Sequence, residues 1–507
     1  MRCRLKRQLQ SEIYAVISMS PNPPAFEYLK PSRPAAYSHV IAVDLDGTLV
    51  LTNTLHESLL LLLKQSFFSI LLLPLWLLQG KAALKSKLAA SVSINAALLP
   101  YNLALINWLK KQKANGKKIV LTTAADQSIA NAVSQHIGFF DEVLGSDGQI
   151  NNVSSKKGQL LDERFGQNSW DYVGNSKADL AVWKSANQAI VVNASQSVIK
   201  QATKNGNVSL VLSATPVMPI YWLKVVRIHQ WLKNLLLFIP LLAAHQIGNL
   251  EAAWALVVAF VAFSFCASAV YIANDLLDLD SDRQHPRKCL RPFACAAVPI
   301  YFGAAIAPVL VIASLSLGLV VGTAFTAWLA IYLLLTCTYS LWLKRLVLID
   351  CMTLAALYTL RISAGAAAVS ISMSFWLLAF SVFLFLSLAF VKRYAELQVQ
   401  AQVGSSHAHG RGYAVSDAPL IQTLGITAGY AAVLVLALYL NSNTVITLYT
   451  QPQLIWFAVP LILFWVSWVW MKAHRGELHD DPIVFAINDK ASLAVAALVA
   501  VTFYIAI

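Results

Sequence analysis

The sequence predicts an N-terminal α/β, Rossmann-like domain with a helical cap, followed by an all-α, multi-pass membrane bundle of about nine transmembrane helices. Three observations predict it. Within residues 38–215, short apolar runs end in carboxylates, hydroxyls and amides. Beyond Trp222 the chain becomes a succession of apolar stretches of about 17–25 residues, each long enough to cross a bilayer. Between two of these, Asn274–Arg291 (NDLLDLDSDRQHPRKCLR) places four acidic residues and then four basic ones.

Composition agrees. At 58% hydrophobic and 12% charged, the 507 residues are too apolar for a soluble protein. The net charge of +13 points to loops facing anionic headgroups or to an anionic substrate, and no nucleic-acid-binding pattern accompanies it. The six cysteines (Cys3, Cys266, Cys289, Cys295, Cys337 and Cys351) are scattered without a CxxC, which indicates neither zinc nor a disulfide framework. Residues 1–37 are polar and rich in proline, read as a disordered leader without a signal-peptide core, with Met19 as an alternative start.

In the soluble part, residues 38–215 with a cap at roughly 50–115, His39–Val43 is a short strand followed at once by Asp44-Leu-Asp46-Gly47-Thr48. Carboxylates two apart at a strand's end point the same way, into the crevice where α/β sheets bind ligands. Lys117–Thr123 predicts a second strand ending in hydroxyls, and Tyr172–Asp179 a third ending in Gly174, Asn175 and Asp179. These strand ends resemble the haloacid dehalogenase superfamily of phosphotransferases. The resemblance implies Asp44 as nucleophile, Asp46 as general acid/base, Thr122 (or Thr123) holding the phosphoryl group, and Lys157 (or Lys156) neutralising the nucleophile. Mg²⁺ would be held by Asp44, Asp46, Asn175 and Asp179. Asn175 departs from the pattern, which usually has an acidic residue there; its carbonyl oxygen can still ligate, with one charge fewer.

Leu59–Leu78 is long enough to span a bilayer. A span there would put Asp44 and Thr122 on opposite sides, so the stretch is read as cap helices broken at Pro74, with an apolar face for the membrane or the other domain.

Residues 216–507 form the membrane part, with spans starting near Asn234, Ala252, Tyr301, Thr323, Ile349, Phe375, Leu420, Leu454 and Ala491. Connections after the second, fourth, sixth and eighth spans carry Lys and Arg, whereas alternate loops such as His245–Glu251 and Asn441–Gln453 carry none. The positive-inside rule then puts the N-terminal domain and the acidic stretch in the cytoplasm, at an inner membrane. Continued as helix, Asn274–Asp282 sets Asn274, Asp278 and Asp282 at i, i+4 and i+8 with Asp275 interleaved, while Asp280 points away. Stacked carboxylates imply a hard cation such as Mg²⁺, which usually keeps a phosphate as co-ligand. Arg361, mid-span, implies a partner or an anionic substrate.

The NDxxDxxxD spacing resembles the first metal-diphosphate motif of the UbiA superfamily of intramembrane prenyltransferases. RIHQWLKN, YSLWLK, LRISAGA and FVKRYAEL narrow the resemblance to its decaprenyl-phosphate phosphoribosyltransferase branch, over residues 221–507. The resemblance implies that a 5-phosphoribosyl group passes from phosphoribosyl pyrophosphate to a polyprenyl phosphate. Asn274, Asp275, Asp278 and Asp282 would hold Mg²⁺, Asp275 and Asp278 at the centre of catalysis, and Asp350 stands where the family has a second acidic motif. Arg283, Lys288, Arg291, Lys344, Lys392 and Arg393 are the expected contacts for ribose phosphate and pyrophosphate, Lys233 and Arg361 those for the lipid phosphate, and Asn234 and Tyr339 are further expected substrate contacts.

Two rival functions follow from the same residues. A conventional prenyltransferase would move a prenyl chain from its diphosphate to an aromatic or other small acceptor; labelled donors separate the two. A non-catalytic scaffold would tolerate Asp275→Ala and Asp44→Ala. Prenyl length is not encoded in any motif, and an oligomer is compatible with the sequence.

Overall fold

The computed structural model describes residues 26–32, 38–147, 154–213, 219–246, 248–285, 287–402, 411–442, 449–478 and 481–506. The chain folds into two compact units, Met1–Val225 with Ala273–Ala305, and Val226–Ile272 with Ile306–Ile507. The expected boundary at residues 215 and 216 is therefore corrected. The first unit takes in a later segment because Arg283 is ion-paired to Glu57 and the Trp222 ring packs against Phe302, 4.3 Å between centroids.

The first unit is built on a seven-stranded sheet. Its strands are β1 (Phe26–Tyr28), β2 (Val40–Val43), β3 (Lys118–Asp126), β4 (Glu142–Ser146), β5 (Trp170–Gly174), β6 (Ala189–Val192) and β7 (Val208–Leu212). Their order is β1-β7-β6-β5-β2-β3-β4, parallel except for β1. Strands covered on both faces should read as continuous apolar runs, and VIAV in β2 is buried throughout. The strand period of two divides these runs between two cores. Ile41, Val43, Ile119, Leu121 and Val173 face one layer of helices, and Val40, Ala42, Val120, Tyr172 and Val191 face the other. Ala42 lies opposite both Val120 and Tyr172, so β2 is central and its C-terminal end opens at the crevice.

Three expectations are revised here. Residues 26–28, assigned to the leader, pair antiparallel with β7, the aromatic ends of FEY serving an edge strand; residues 1–25 and 33–37 lie outside the described residues. The cap is narrower than 50–115: Thr54–Gln65, Leu73–Leu78 and Lys81–Ser91 share a small core around Leu62, Leu88 and Val92, whereas Leu103–Ala114 puts Leu105 and Leu109 into the main core. Finally, the helical break expected at Pro74 falls just before it, between Phe67–Leu72 and Leu73–Leu78, and Pro74 sits in the first turn of the second helix, where a missing N–H costs nothing.

Among the described residues, seven helices are long and apolar enough to cross a membrane: Leu250–Leu277, Ile300–Val321, Thr323–Leu341, Ile349–Ala368, Phe375–Gln402, Val415–Leu440 and Pro452–His474. Two bent pairs bring the number to nine if each is one span. The first expected span is one of these, broken at Arg227 with φ 51°, and the last is Pro482–Asn488 with Lys490–Ala506, bent by 82°.

Within the second unit, Ile349–Ala368 is the central helix, 72% buried over its apolar window. Gly365 is why a neighbour can approach it: a Cβ there would lie 2.1 Å from the Leu237 carbonyl oxygen, which is backbone and cannot turn aside. Gly365→Ala should therefore cost about 1–3 kcal/mol of stability by overpacking. The expected result is an unfolding midpoint in detergent lowered by several degrees, and an unchanged midpoint would show that the two helices separate readily.

Candidate active sites

The first site lies at the C-terminal end of β2. Asp44, Asp46, Thr123, Lys157 and Asn175 line one cavity of about 480 Å³. Lys157 Nζ donates to Asp44 Oδ1 at 2.7 Å and to the Tyr172 hydroxyl at 2.9 Å. Tyr172 in turn donates to Asp179 Oδ1 at 2.9 Å, closing a buried relay. Burial pushes the Asp44 carboxyl up to about 7, against the opposing pull of Lys157. Asp46 is also raised by burial, and its Oδ1 accepts from the Thr54 amide at 2.7 Å.

The residues of each open alternative differ in their surroundings. Lys157 is buried against Asp44 while Lys156 is exposed. Thr123 lines the cavity, whereas the Thr122 hydroxyl is buried with no partner among the described residues. Asp179, expected in the metal shell, lines the same cavity, and its Oδ2 accepts from the amides of Asn175 (3.1 Å) and Ser176 (2.9 Å) and from Ser176 Oγ (2.8 Å). It shapes the loop that carries Asn175. Gly47, with φ +76°, makes room for that residue, since a Cβ there would sit 2.1 Å from Asn175 Nδ2. Asp44, Asp46 and the Asn175 carbonyl are an all-oxygen donor set lining one cavity, which fits Mg²⁺.

Sequence reasoning missed Lys85 and Tyr172. Lys85, on the cap helix, lines the same cavity and donates to the Ala124 carbonyl at 2.7 Å; burial holds its ammonium below the usual range. Its signal was a basic residue in an otherwise apolar turn, AALKSKLAA, which also reads as an ordinary helix surface.

The acidic helix differs from expectation in one respect. It does not run unbroken to Asp282 but stops at Leu277, with Asp278 as the joint before Leu279–Gln284. Helical hydrogen bonding carries across the joint, the Asp278 amide donating to the Asn274 carbonyl at 2.9 Å and the Asp282 amide to the Asp278 carbonyl at 2.8 Å. Arg291 Nη1 bridges the result, 2.9 Å from Asp275 Oδ1 and 2.6 Å from Asp282 Oδ2. A cationic nitrogen already sits where two carboxylates converge, so the donor set fits a cation. Among the described residues no three His, Cys, Asp or Glu side chains are grouped closely enough to hold a metal ion by themselves. Burial raises the Asp282 carboxyl, against the pull of Arg291.

In the second unit Arg361 is buried, yet its partners are all neutral: Asn234 Oδ1 at 3.0 Å, the Leu357 carbonyl at 2.6 Å and the Tyr332 hydroxyl at 2.9 Å. Lys233 and Lys392 share one carboxylate, Asp481, at 2.7 and 3.3 Å, with the Tyr358 hydroxyl donating to it at 3.0 Å. Asp481 was missed because it lies in the short polar connection between the eighth and ninth expected spans. Among the described residues, Asp481 is the carboxylate hydrogen-bonded to Lys233 and Lys392, and the hydrogen-bond partners of Arg361 are neutral.

Other expected contacts have structural partners. Arg283 is bidentate to Glu57 at 2.6 and 3.2 Å, so it is not poised for a phosphate. Asp350, expected at a metal, and Arg393, expected at a phosphate, are bound to each other at 2.5 Å, both fully buried, and Tyr413 and Arg411 take the rest of Asp350. Tyr339 accepts from Arg411 at 3.3 Å, Lys344 is half-buried and Lys288 exposed.

Long apolar helices with carboxylates at one helix end define a multi-pass membrane protein, joined in this chain to an α/β unit with carboxylates at the end of a central parallel strand. The chain belongs to the UbiA prenyltransferase family, whose profile matches residues 235–502. It is 36% identical over 470 residues to an uncharacterized protein, y4nM, of Sinorhizobium fredii, covering 91% of this chain and 90% of that protein, and so extending across both units. It is 32% identical over 275 residues to the decaprenyl-phosphate phosphoribosyltransferase of Mycolicibacterium smegmatis, 53% of this chain and 86% of that one. It is also similar to a UbiA homolog from Archaeoglobus fulgidus bound to GPP and Mg²⁺, with a TM-score of 0.43 and 15% identity over 56% of this chain and 99% of that chain.

Two expected outcomes follow from this geometry. Asp275→Asn should lower transferase turnover ~10²–10⁴-fold, whereas Asp280→Asn should change it by about threefold at most; equal losses would sink the one-face reading. Arg361→Lys keeps the charge but loses the planar fork held by Asn234 and Tyr332, and should cost on the order of tenfold in activity with insertion intact. Normal turnover by Arg361→Leu would show that no anion is bound there.

Proposed function

We propose that the chain is a two-site enzyme. Its membrane part transfers a 5-phosphoribosyl group from phosphoribosyl pyrophosphate to a polyprenyl phosphate, and its N-terminal unit then removes the 5-phosphate. The observation that carries this reading is Arg361, buried with neutral partners only, in a unit whose Lys233 and Lys392 outnumber Asp481. An anionic acceptor supplies the missing charge; an aromatic acceptor would leave the guanidinium uncompensated, at a cost of several kcal/mol or about that order. The likeness to a decaprenyl-phosphate phosphoribosyltransferase supports the same substrates.

Asn274, Asp275, Asp278 and Asp282 would hold Mg²⁺, which when bound neutralises the pyrophosphate leaving group. An oxygen of the lipid phosphate bonds to ribose C1 as the bond from C1 to pyrophosphate breaks. The acceptor is already an anion, so no general base is needed, and Arg361 with Asn234 orients it. In the N-terminal unit Asp44 attacks the phosphorus of the 5-phosphate and the ribose oxygen leaves with a proton from Asp46. Water then attacks the phosphoaspartate, giving its proton to Asp46 and releasing inorganic phosphate. Lys157 offsets the charge on Asp44 in both steps, and Asn175 with Asp44 and Asp46 would hold the Mg²⁺ that this site uses. The alternation of Lys and Arg between loops supports a cytoplasmic side for the N-terminal unit and the acidic helix.

The test supplies purified protein with labelled phosphoribosyl pyrophosphate and polyprenyl phosphate and follows the lipid by mass. Wild type should accumulate the ribosyl lipid, and Asp44→Asn should stop at its 5-phosphorylated precursor. If both end at the phosphorylated lipid, the N-terminal unit has another role. Label entering only from a prenyl diphosphate would overturn the transferase reading itself.

A further inference from the structure

We infer that Phe293–Tyr301, the segment following the acidic helix, is the substrate-selecting wall of the Asp44 cavity. It selects phosphate monoesters whose leaving group is amphiphilic, a sugar carrying an alkyl substituent. The inference rests on the reading of Asp44 as a phosphatase nucleophile, and it names the substrate class of that site. One side of the cavity is the polar set of Asp44, Asp46, Lys157 and Asn175, while Phe293, Val298, Pro299, Ile300 and Tyr301 line it from outside the residues of the sheet and cap. Both sets belong to the same compact unit.

The wall is fixed in place rather than draped. Arg283, at its foot, is bidentate to Glu57 on the cap helix at 2.6 and 3.2 Å and donates from Nε to the Ala294 carbonyl at 3.2 Å. The Phe293 ring lies so close to Gly303 that a Cβ there would be 2.7 Å from its Cζ. Tyr301 faces His56 of the cap with ring centroids 5.8 Å apart, and remains 59% exposed. A phosphate pocket for a small polar ester needs donors around the leaving group. Phe293, Val298 and Ile300 are buried behind the wall, and its reachable face is Ala296, Pro299 and the Tyr301 ring, so a leaving group gains from it by burying carbon against these. The C–H face of a ribose and the first carbons of a tail attached at C1 meet that description; free ribose 5-phosphate, with a hydroxyl at C1, meets it only in part.

The experiment uses the full chain with Mg²⁺ and compares ribose 5-phosphate with butyl ribofuranoside 5-phosphate, whose tail is too short to form micelles. In wild type, kcat/KM should favour the butyl ester by on the order of tenfold, which is about 1.4 kcal/mol. Tyr301→Ser should cut that ratio at least about fivefold, and Tyr301→Phe should keep it. A wild-type ratio near one, or a ratio indifferent to Tyr301→Ser, overturns the wall while leaving the phosphatase reading intact. Dissociation constants of both esters for the Asp44→Asn protein are measured alongside. If neither ester is hydrolysed but the butyl ester binds tighter, the phosphatase reading fails and the wall stands. Equal binding, or none, overturns the wall as well.

Discussion

The ion pair between Arg283 and Glu57 is the interaction on which the first unit's arrangement depends. The two side chains are 6% and 5% exposed and meet through two hydrogen bonds. Desolvating both charges offsets most of their attraction, so the pair adds little net stability. Breaking it is another matter: one unpartnered buried charge costs about 3–5 kcal/mol. That asymmetry makes the pair a register pin. It tells the segment after the acidic helix which cap to meet, and the position of Phe293 and Tyr301 at the cavity follows from it.

The same asymmetry sorts the charges of the second unit. Asp350 and Arg393 form a fully buried ion pair, with Glu396 on the other arm of the guanidinium. Asp481 is oversubscribed by Lys233 and Lys392. Arg361 alone among these rests on a carbonyl, an amide oxygen and a phenol. A buried charge that is hydrogen-bonded but not neutralised tolerates an anion better than a paired one does, since an anion need not displace a carboxylate first. The chemistry therefore falls to the groups whose charge is left over.

The sequence made some of this legible for a plain reason. Asp44 and Asp46 follow a run of buried aliphatics, and Arg361 interrupts an apolar helix, so each stands out against its neighbours. The acidic helix was legible because helical spacing alone brings Asp275 and Asp282 to one side. What was missed or misassigned depends on partners remote in the chain. Arg283 sits beside the acidic cluster in sequence, yet its partner is Glu57; Asp350 and Arg393 each look like ligands until they are seen facing one another. Tyr172 carries no polar signal in a buried strand, and FEY of β1 is too short to announce an edge. Local pattern identifies charges that are out of place. It does not say which are answered from elsewhere in the fold.

The first unit closes only with residues that come after a long apolar helix, Leu250–Leu277. During synthesis, roughly eighty residues separate Val225 from Ala305, a delay of about 4–16 s at ordinary elongation rates. For that interval the sheet and cap can exist with the Asp44 cavity open along one side and Glu57 without its arginine. The ribosome must first deliver a membrane helix. Until Phe293–Tyr301 emerges, a nascent chain therefore carries the Asp44 cavity without one of its sides.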